Sequence, residues 1–156
     1  MTAATSTIHA SAVLIGAIRF GAKAVLIRGP AGAGKSRLVL ALLQAAAQGA
    51  LPFARLVADD RAFIEARSGR LLVRPAEPLA GLLEVRGLGI RRLAYEPVAA
   101  VGLVVDLAAD TAQRLPDPAQ QEITLAGVRL PLLAVPKGLD PLLLLLAYLD
   151  TAGGGI

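Results

Sequence analysis

The chain has 156 residues, 55% of them hydrophobic and 3% aromatic, with no cysteine and a formal net charge of +4. This length fits one compact domain over residues 1–156, and the lack of cysteine excludes disulfides and thiolate metal sites. Scattered basic residues and few aromatic platforms disfavour nucleic-acid binding, and no apolar run approaches the roughly 20 residues that span a bilayer. Because no secretory signal is evident, we expect a cytoplasmic protein without a membrane partner.

The predicted elements of the first half are strands around one helix. Residues 8–18 alternate well enough for a strand, and a turn at residues 19–23 leads into a buried strand at residues 24–27. Residues 37–47 repeat apolar side chains at helical spacing. Residues 53–60 predict a second central strand, which ends in two carboxylates.

The second half is predicted to contain two hairpins, one of residues 62–65 with 71–74 and one of residues 123–125 with 128–135. A long strand at residues 98–107 is predicted between them. Residues 111–121 are typical of a loop. Asp140 and Pro141 are typical of the start of a short helix over residues 142–150, and residues 150–156 are expected to fray. Since strands outnumber helices, the patterns predict an α/β fold with a mixed β-sheet, hairpins and few helices.

The most informative segment lies between the second strand and the first helix. It satisfies the phosphate-binding pattern G-x-x-x-x-G-K-S/T at every fixed position. Its glycines let backbone N–H groups turn toward one anion, Lys35 can reach outer phosphates, and the Ser36 hydroxyl can join a Mg²⁺ shell. The residues of this predicted loop are Gly29, Pro30, Ala31, Gly32, Ala33, Gly34, Lys35 and Ser36. The alternative is a glycine-rich turn that binds nothing.

Two further segments carry groups suited to the same chemistry. Asp59 and Asp60 end a predicted strand, where one carboxylate can lie near a metal while the other accepts a proton from a hydroxyl. The alternative is a solvated turn. Glu84 can serve as an oxygen ligand to Mg²⁺, and Arg86 can make a forked contact with phosphate. A strand before a glycine turn would show the same pattern.

Together these segments resemble HPr kinase/phosphorylase, the bacterial enzyme that acts on a serine of the phosphocarrier protein HPr. The family's catalytic domain carries a phosphate loop, a strand ending in LVADD and a signature close to EIRGLGI. Here these are residues 29–36, 56–60 and 84–90, with Val85 in place of isoleucine. The resemblance runs from about residue 9 to residue 140 and implies a phosphoenolpyruvate-carboxykinase-like phosphate-loop fold. It also implies a short form that lacks the family's N-terminal domain.

The resemblance implies how ligands are held. ATP would lie on the loop at residues 29–36 with Lys35 on its phosphates, and Ser36 and Glu84 would hold Mg²⁺. The implied partner is an HPr-like phosphocarrier protein. The family is commonly hexameric, and the apolar composition also favours a homo-oligomer.

The resemblance further implies catalytic roles for four side chains. Asp60 would be the general base that accepts the seryl proton, with Asp59 beside the metal and the nucleophile. His9 would lie near the phosphate, and Arg114 would steady the transferred phosphate from a mobile loop. The alternatives are an ordinary near-terminal histidine and a solvated loop charge.

The implied activity is ATP-dependent phosphorylation of HPr on serine, with reverse phosphorolysis of the phosphoserine. Two departures from the family stand out, namely Arg37 where glutamate is frequent and a divergent loop at residues 135–140. One alternative is therefore a nucleotide-binding regulatory module with weak catalysis. Another is a small-molecule kinase, for instance of free serine. A GTPase or adenylate kinase is disfavoured because no N-K-x-D motif or basic lid is found.

Overall fold

The computed structural model describes residues 5–17, 21–109, 117 and 121–151. Within them, nine strands form one sheet and two more form a separate hairpin. The strands are β1 (Thr5–Ile8), β2 (Ala10–Ala17), β3 (Gly21–Arg28), β4 (Phe53–Ala58), β5 (Ala62–Arg67), β6 (Arg70–Pro75), β7 (Leu82–Val85), β8 (Gly89–Arg92), β9 (Ala99–Asp106), β10 (Glu122–Leu125) and β11 (Val128–Ala134). The helices are α1 (Lys35–Ala47) and α2 (Pro141–Asp150), with a 3₁₀ turn at Glu77–Leu79.

The large sheet is mixed, as the sequence predicts. Its strand order is β1-β5-β6-β9-β3-β2-β4, with β11 paired to β9 and β10 paired to β11. Strand β9 runs parallel to β3 and to β11, whereas the other strand pairs are antiparallel. It pairs with β6 through its first two residues and with β11 through its last three. Three segments that are distant in sequence therefore meet on β9.

The core has two parts, one on each face of β3. Val25 and Ile27 belong to a cluster that includes the buried face of α1 and residues of α2. Ala24 and Leu26 belong to a second cluster with residues of β5 and β6, which cover the other face of a curled sheet. Burial on both faces explains why β3 is a continuous apolar run and not an alternating one.

Two strand predictions differ from the structure. The single strand expected at residues 8–18 is two strands, because β1 pairs with β5 while β2 pairs with β3 and β4, and the chain changes partners at His9. Strand β4 ends the sheet order and is not central, since β2 is its strand partner and only an isolated bridge joins Leu56 to Tyr95. The predicted loop at residues 111–121 lies outside the described residues, apart from residues 117 and 121.

Helix α2 begins as the sequence predicts. The Asp140 carboxylate accepts hydrogen bonds from the backbone N–H groups of Leu142 at 3.0 Å and Leu143 at 3.5 Å, and Pro141 occupies the first turn. This cap satisfies donors that a helix start leaves without partners. In the described part of the chain, neither helix has the length and apolar character needed to cross a bilayer.

The turn before β7 depends on a glycine. Gly81 has φ +76°, and a Cβ placed there would lie 2.9 Å from Tyr95 Cδ1 and 3.1 Å from the Leu93 carbonyl oxygen. We expect Gly81→Ala to lower the free energy of unfolding by roughly 2–4 kcal/mol, because backbone strain and overpacking add. Gly69 has the same φ with nothing within 4 Å of such a Cβ, so Gly69→Ala should cost only about 1–2 kcal/mol. Urea denaturation of both variants tests this, and equal losses would contradict the packing argument.

Candidate active site

The predicted phosphate loop connects β3 directly to α1. The N-cap of α1 is Gly34, at φ 100° in the left-handed region that glycine adopts without strain, and it provides no side-chain cap. The N–H groups of the first helical turn are therefore without a side-chain acceptor from the N-cap. A helix start of this kind is suited to hold an anionic group.

Lys35 lies inside this loop and is only 8% exposed. Its Nζ donates hydrogen bonds to the carbonyl oxygens of Gly29 at 2.8 Å and Pro30 at 3.3 Å. The carbonyls of the first two loop residues thus hold the ammonium group. A polyphosphate bound here would meet a positive charge that is already in place.

Asp59 follows β4 and connects this strand end to the loop. Its side chain is buried, and Oδ1 accepts hydrogen bonds from Ser36 Oγ at 2.7 Å and from Ser11 Oγ at 2.8 Å. Its Oδ2 lies 3.5 Å from the backbone nitrogen of Glu84, which belongs to β7. The structure therefore brings together one carboxylate, the last residue of the loop and the signature segment.

Asp60, unlike Asp59, is exposed to solvent. The residue has φ 66°, a left-handed conformation that few non-glycine residues adopt. Its backbone N–H donates to Ser11 Oγ at 3.1 Å. The neighbouring aspartates thus differ in environment, since one is buried among hydroxyl donors and the other faces solvent.

Ser11 is the residue of this cluster that the sequence reasoning missed. It is fully buried on β2 and contacts both aspartates. A signal was present, because Ser11 is the only polar side chain in the apolar run from Ala10 to Ile15. A lone hydroxyl in a buried strand needs a hydrogen-bond partner, but the strand pattern alone does not identify that partner.

An ion pair joins the two strand ends next to the loop. Arg28, the last residue of β3, makes a two-pronged ion pair with Asp106 at the end of β9, with both N–O distances 2.8 Å. The backbone N–H of Leu107 also donates to the Arg28 carbonyl at 2.8 Å. These bonds join the ends of the two parallel strands just before the loop begins.

Other predicted site residues are not joined to this cluster by their side chains. His9 and Glu84 are exposed, and within residues 5–17 and 21–109 neither makes a side-chain hydrogen bond or ion pair that links it to Asp59. Arg86 is exposed in the turn between β7 and β8. Arg114 lies outside the described residues.

The donor set fits magnesium better than a softer metal. Ser36 and Asp59 present oxygen atoms next to the loop, and the backbone of Glu84 adjoins them. Among the described residues, no cluster of three or more His, Cys, Asp or Glu side chains forms a cage for a metal. Mg²⁺ commonly binds through one or two carboxylates together with substrate phosphates and water, and does not need such a cage.

Comparison with known proteins identifies relatives by sequence and by fold. No protein-family model matches the chain. It is 36% identical over 123 residues to HPr kinase/phosphorylase of Streptococcus pyogenes serotype M5 (strain Manfredo), covering 72% of this chain and 37% of the relative's length. It is 46% identical over 67 residues to HPr kinase/phosphorylase of Streptococcus thermophilus (strain ATCC BAA-491 / LMD-9), covering 42% of this chain and 19% of the relative.

A solved structure shares the fold. The chain is similar to the Hpr(Ser) kinase/phosphatase from Coxiella burnetii with a TM-score of 0.71 and 24% identity, over 93% of this chain and 94% of that one. This likeness confirms the α/β class, with a large curled mixed sheet and few helices. The sequence similarity to the curated relatives and this shared fold support an HPr kinase catalytic-domain-like protein, and the chain spans 37% of the length of the first of these relatives.

Proposed function

We propose that this chain transfers the terminal phosphoryl group of ATP to a serine hydroxyl of an HPr-like phosphocarrier protein. The observation that carries the proposal is the 2.7 Å hydrogen bond from Ser36 Oγ to Asp59 Oδ1. This bond joins the carboxylate at the end of β4 to the last residue of a phosphate-binding sequence. Asp60, the residue after Asp59, carries a second and exposed carboxylate. Phosphoryl transfer needs three parts, which are a loop that binds the phosphates, oxygen ligands for a cation and a group that orients the nucleophile.

The loop and its lysine account for nucleotide binding. Backbone N–H groups within the loop would surround the phosphates, and Lys35 would exchange its two carbonyl partners for phosphate oxygens. Ser36, Asp59 and Glu84 would hold Mg²⁺, which supplies positive charge at the phosphoryl oxygens when bound. ATP and Mg²⁺ are therefore the ligands that we propose for this site.

Asp60 accounts for activation of the acceptor. Its exposed carboxylate can accept a hydrogen bond from the serine hydroxyl of a protein that approaches from solvent. The serine oxygen would attack the terminal phosphorus, the bond to the ADP oxygen would break, and the serine proton would pass to Asp60. The buried Asp59 suits the cation side of the site, because its carboxylate is held by two hydroxyl groups.

The proposal is tested by intact-mass measurement. Purified protein, ATP, Mg²⁺ and HPr are incubated together, and HPr is expected to gain the mass of one phosphoryl group. HPr with its acceptor serine replaced by alanine should gain none. The reverse reaction is tested by adding phosphorylated HPr and inorganic phosphate and following loss of the phosphoryl group.

A measurement of ATP binding and the same reaction with free serine in place of HPr provide two results that would reject the proposal. ATP binding without any transfer would identify a nucleotide-binding regulatory module instead. Transfer to free serine but not to HPr would identify a small-molecule kinase.

Three further expectations remain proposals. His9 lies two residues before Ser11, and we propose that it approaches the phosphate when a nucleotide is bound. For Arg114 we keep the role that the resemblance implies, which is to steady the transferred phosphate. A homo-oligomer is supported by exposed apolar side chains such as Leu88, Ile90 and Leu143, and light scattering in solution measures its size.

A further inference from the structure

The Ser11 hydroxyl makes one hydrogen bond to each residue of the aspartate pair. It donates its one proton to Asp59 Oδ1 at 2.8 Å and accepts the backbone N–H of Asp60 at 3.1 Å. Ser11 is 0% exposed, so water cannot replace either contact in the folded protein. One side chain on β2 thus binds two consecutive residues that lie 48 and 49 positions further along the chain.

The first of these contacts orients a carboxylate. Asp59 Oδ1 receives two hydroxyl protons, from Ser11 and from Ser36. A hydroxyl has one proton and two lone pairs, so Ser36 can keep this bond and still offer a lone pair to a cation. Ser11 lies on β2, outside the loop, and its bond does not depend on the position of the loop. Ser11 can therefore hold Asp59 independently of the loop.

The second contact stabilises an unfavourable backbone conformation. Asp60 has φ 66°, which costs an L-residue free energy and persists only where the surroundings enforce it. The turn contains a hydrogen bond from the Arg61 N–H to the Asp59 carbonyl at 2.7 Å. The bond from the Asp60 N–H to Ser11 Oγ attaches this turn to β2 at the residue that carries the exposed carboxylate.

We propose that Ser11 is a positioning residue that fixes Asp59 toward the loop and Asp60 toward the acceptor. This inference rests on the proposed function, because it assigns Ser11 a part in the same phosphoryl transfer. Ser11 does not touch the reacting atoms and acts through the two aspartates. The competing explanation is a buried serine that contributes only to stability.

The test compares Ser11→Ala with Val13→Ala. Val13 lies on the same strand and is equally buried, but it belongs to the apolar cluster that packs on α1. Val13→Ala therefore destabilises the sheet without removing a bond to either aspartate. We expect Ser11→Ala to lower kcat for transfer about 10-fold or more while the KM for ATP changes less than about twofold, as for a lost transition-state contact. Val13→Ala should keep kcat near the wild-type value at a temperature where both variants are folded.

A double-mutant cycle separates positioning from stability. If Ser11 acts through Asp60, adding Ser11→Ala to Asp60→Asn should cost much less than it costs in the wild type. Additive losses would overturn the proposal. So would a Ser11→Ala variant with wild-type kcat, or equal losses of kcat in Ser11→Ala and Val13→Ala.

A readout independent of activity distinguishes this proposal from the proposed function. Amide hydrogen exchange measured by NMR reports directly on the bond from the Asp60 N–H to Ser11. We expect faster exchange at Asp60 in Ser11→Ala and unchanged exchange there in Val13→Ala. If the wild type transfers no phosphate to HPr, the proposed function fails, and the Asp60 amide still decides whether Ser11 positions the pair. Unchanged exchange in Ser11→Ala would overturn the inference in either case.

Discussion

Replacing Lys35 with alanine is expected to weaken ATP binding and to lower the rate of phosphoryl transfer by about 10²-fold or more, the scale of a lost electrostatic contact in an active site. The Nζ atom is held inside the loop by the carbonyls of Gly29 and Pro30, at 2.8 Å and 3.3 Å. Alanine would remove the charge and leave both carbonyls without this donor. Calorimetric titration with ATP at millimolar magnesium measures the binding loss, and the HPr assay measures the transfer loss.

Lys23 offers a matched control for this substitution. It is exposed near the start of β3, whereas the loop follows the end of the same strand. Lys23→Ala removes the same charge from the protein, so ATP binding and transfer should stay close to wild type. The assignment of Lys35 would be wrong if Lys35→Ala bound ATP normally, or if both lysine variants lost affinity equally.

Replacing Asp60 with asparagine is expected to separate binding from chemistry. Transfer to HPr should fall by about 10²-fold or more, as for a lost general base, while ATP affinity stays within about twofold of wild type. Asparagine has nearly the same shape, tolerates positive φ and keeps the backbone N–H that donates to Ser11. The turn should therefore persist without its proton acceptor. Calorimetry and single-turnover transfer measure the two effects separately.

Asp150→Asn controls for loss of a negative charge. Asp150 is exposed at the last turn of α2, and its replacement should leave both ATP binding and transfer unchanged. Equal loss of ATP affinity and transfer in Asp60→Asn would show that Asp60 supports the nucleotide site and is not a base. Wild-type transfer by Asp60→Asn would exclude the base role altogether.

Local patterns in the sequence were sufficient for most of the fold. The β2–β3, β5–β6 and β10–β11 hairpins, the two helices and the cap at Asp140 depend on residues that are near one another in the chain, and the structure confirms them. The β7–β8 hairpin was not predicted. The division of the first strand at His9 could not be predicted, because it depends on the pairing of β1 with β5, which lies far along the chain. Strand patterns also could not show that β4 ends the sheet order.

In the candidate site, too, local segments could be proposed from the sequence, whereas residues joined by distant contacts could not. The predicted loop and the aspartate pair are contiguous segments with recognisable chemistry, so the sequence alone was enough to propose them as site residues. Ser11 was missed because its role depends on a contact across 48 residues, which no local pattern encodes. Arg28 and Asp106 were missed for a similar reason, since their ion pair spans 78 residues and forms only when β3 and β9 lie side by side.

The late position of β9 in the sequence affects folding during synthesis. It pairs with β3, β6 and β11, yet it comes after nearly two thirds of the chain. During synthesis, the segments before β9 leave the ribosome without the strand that joins β6 to β3. Pairings between such distant segments are slow to form, because closing the intervening chain costs entropy before the contacts offset it. We therefore expect nascent chains that stop before residue 99 to stay protease-sensitive, and chains extended past α2 to become resistant in a single step.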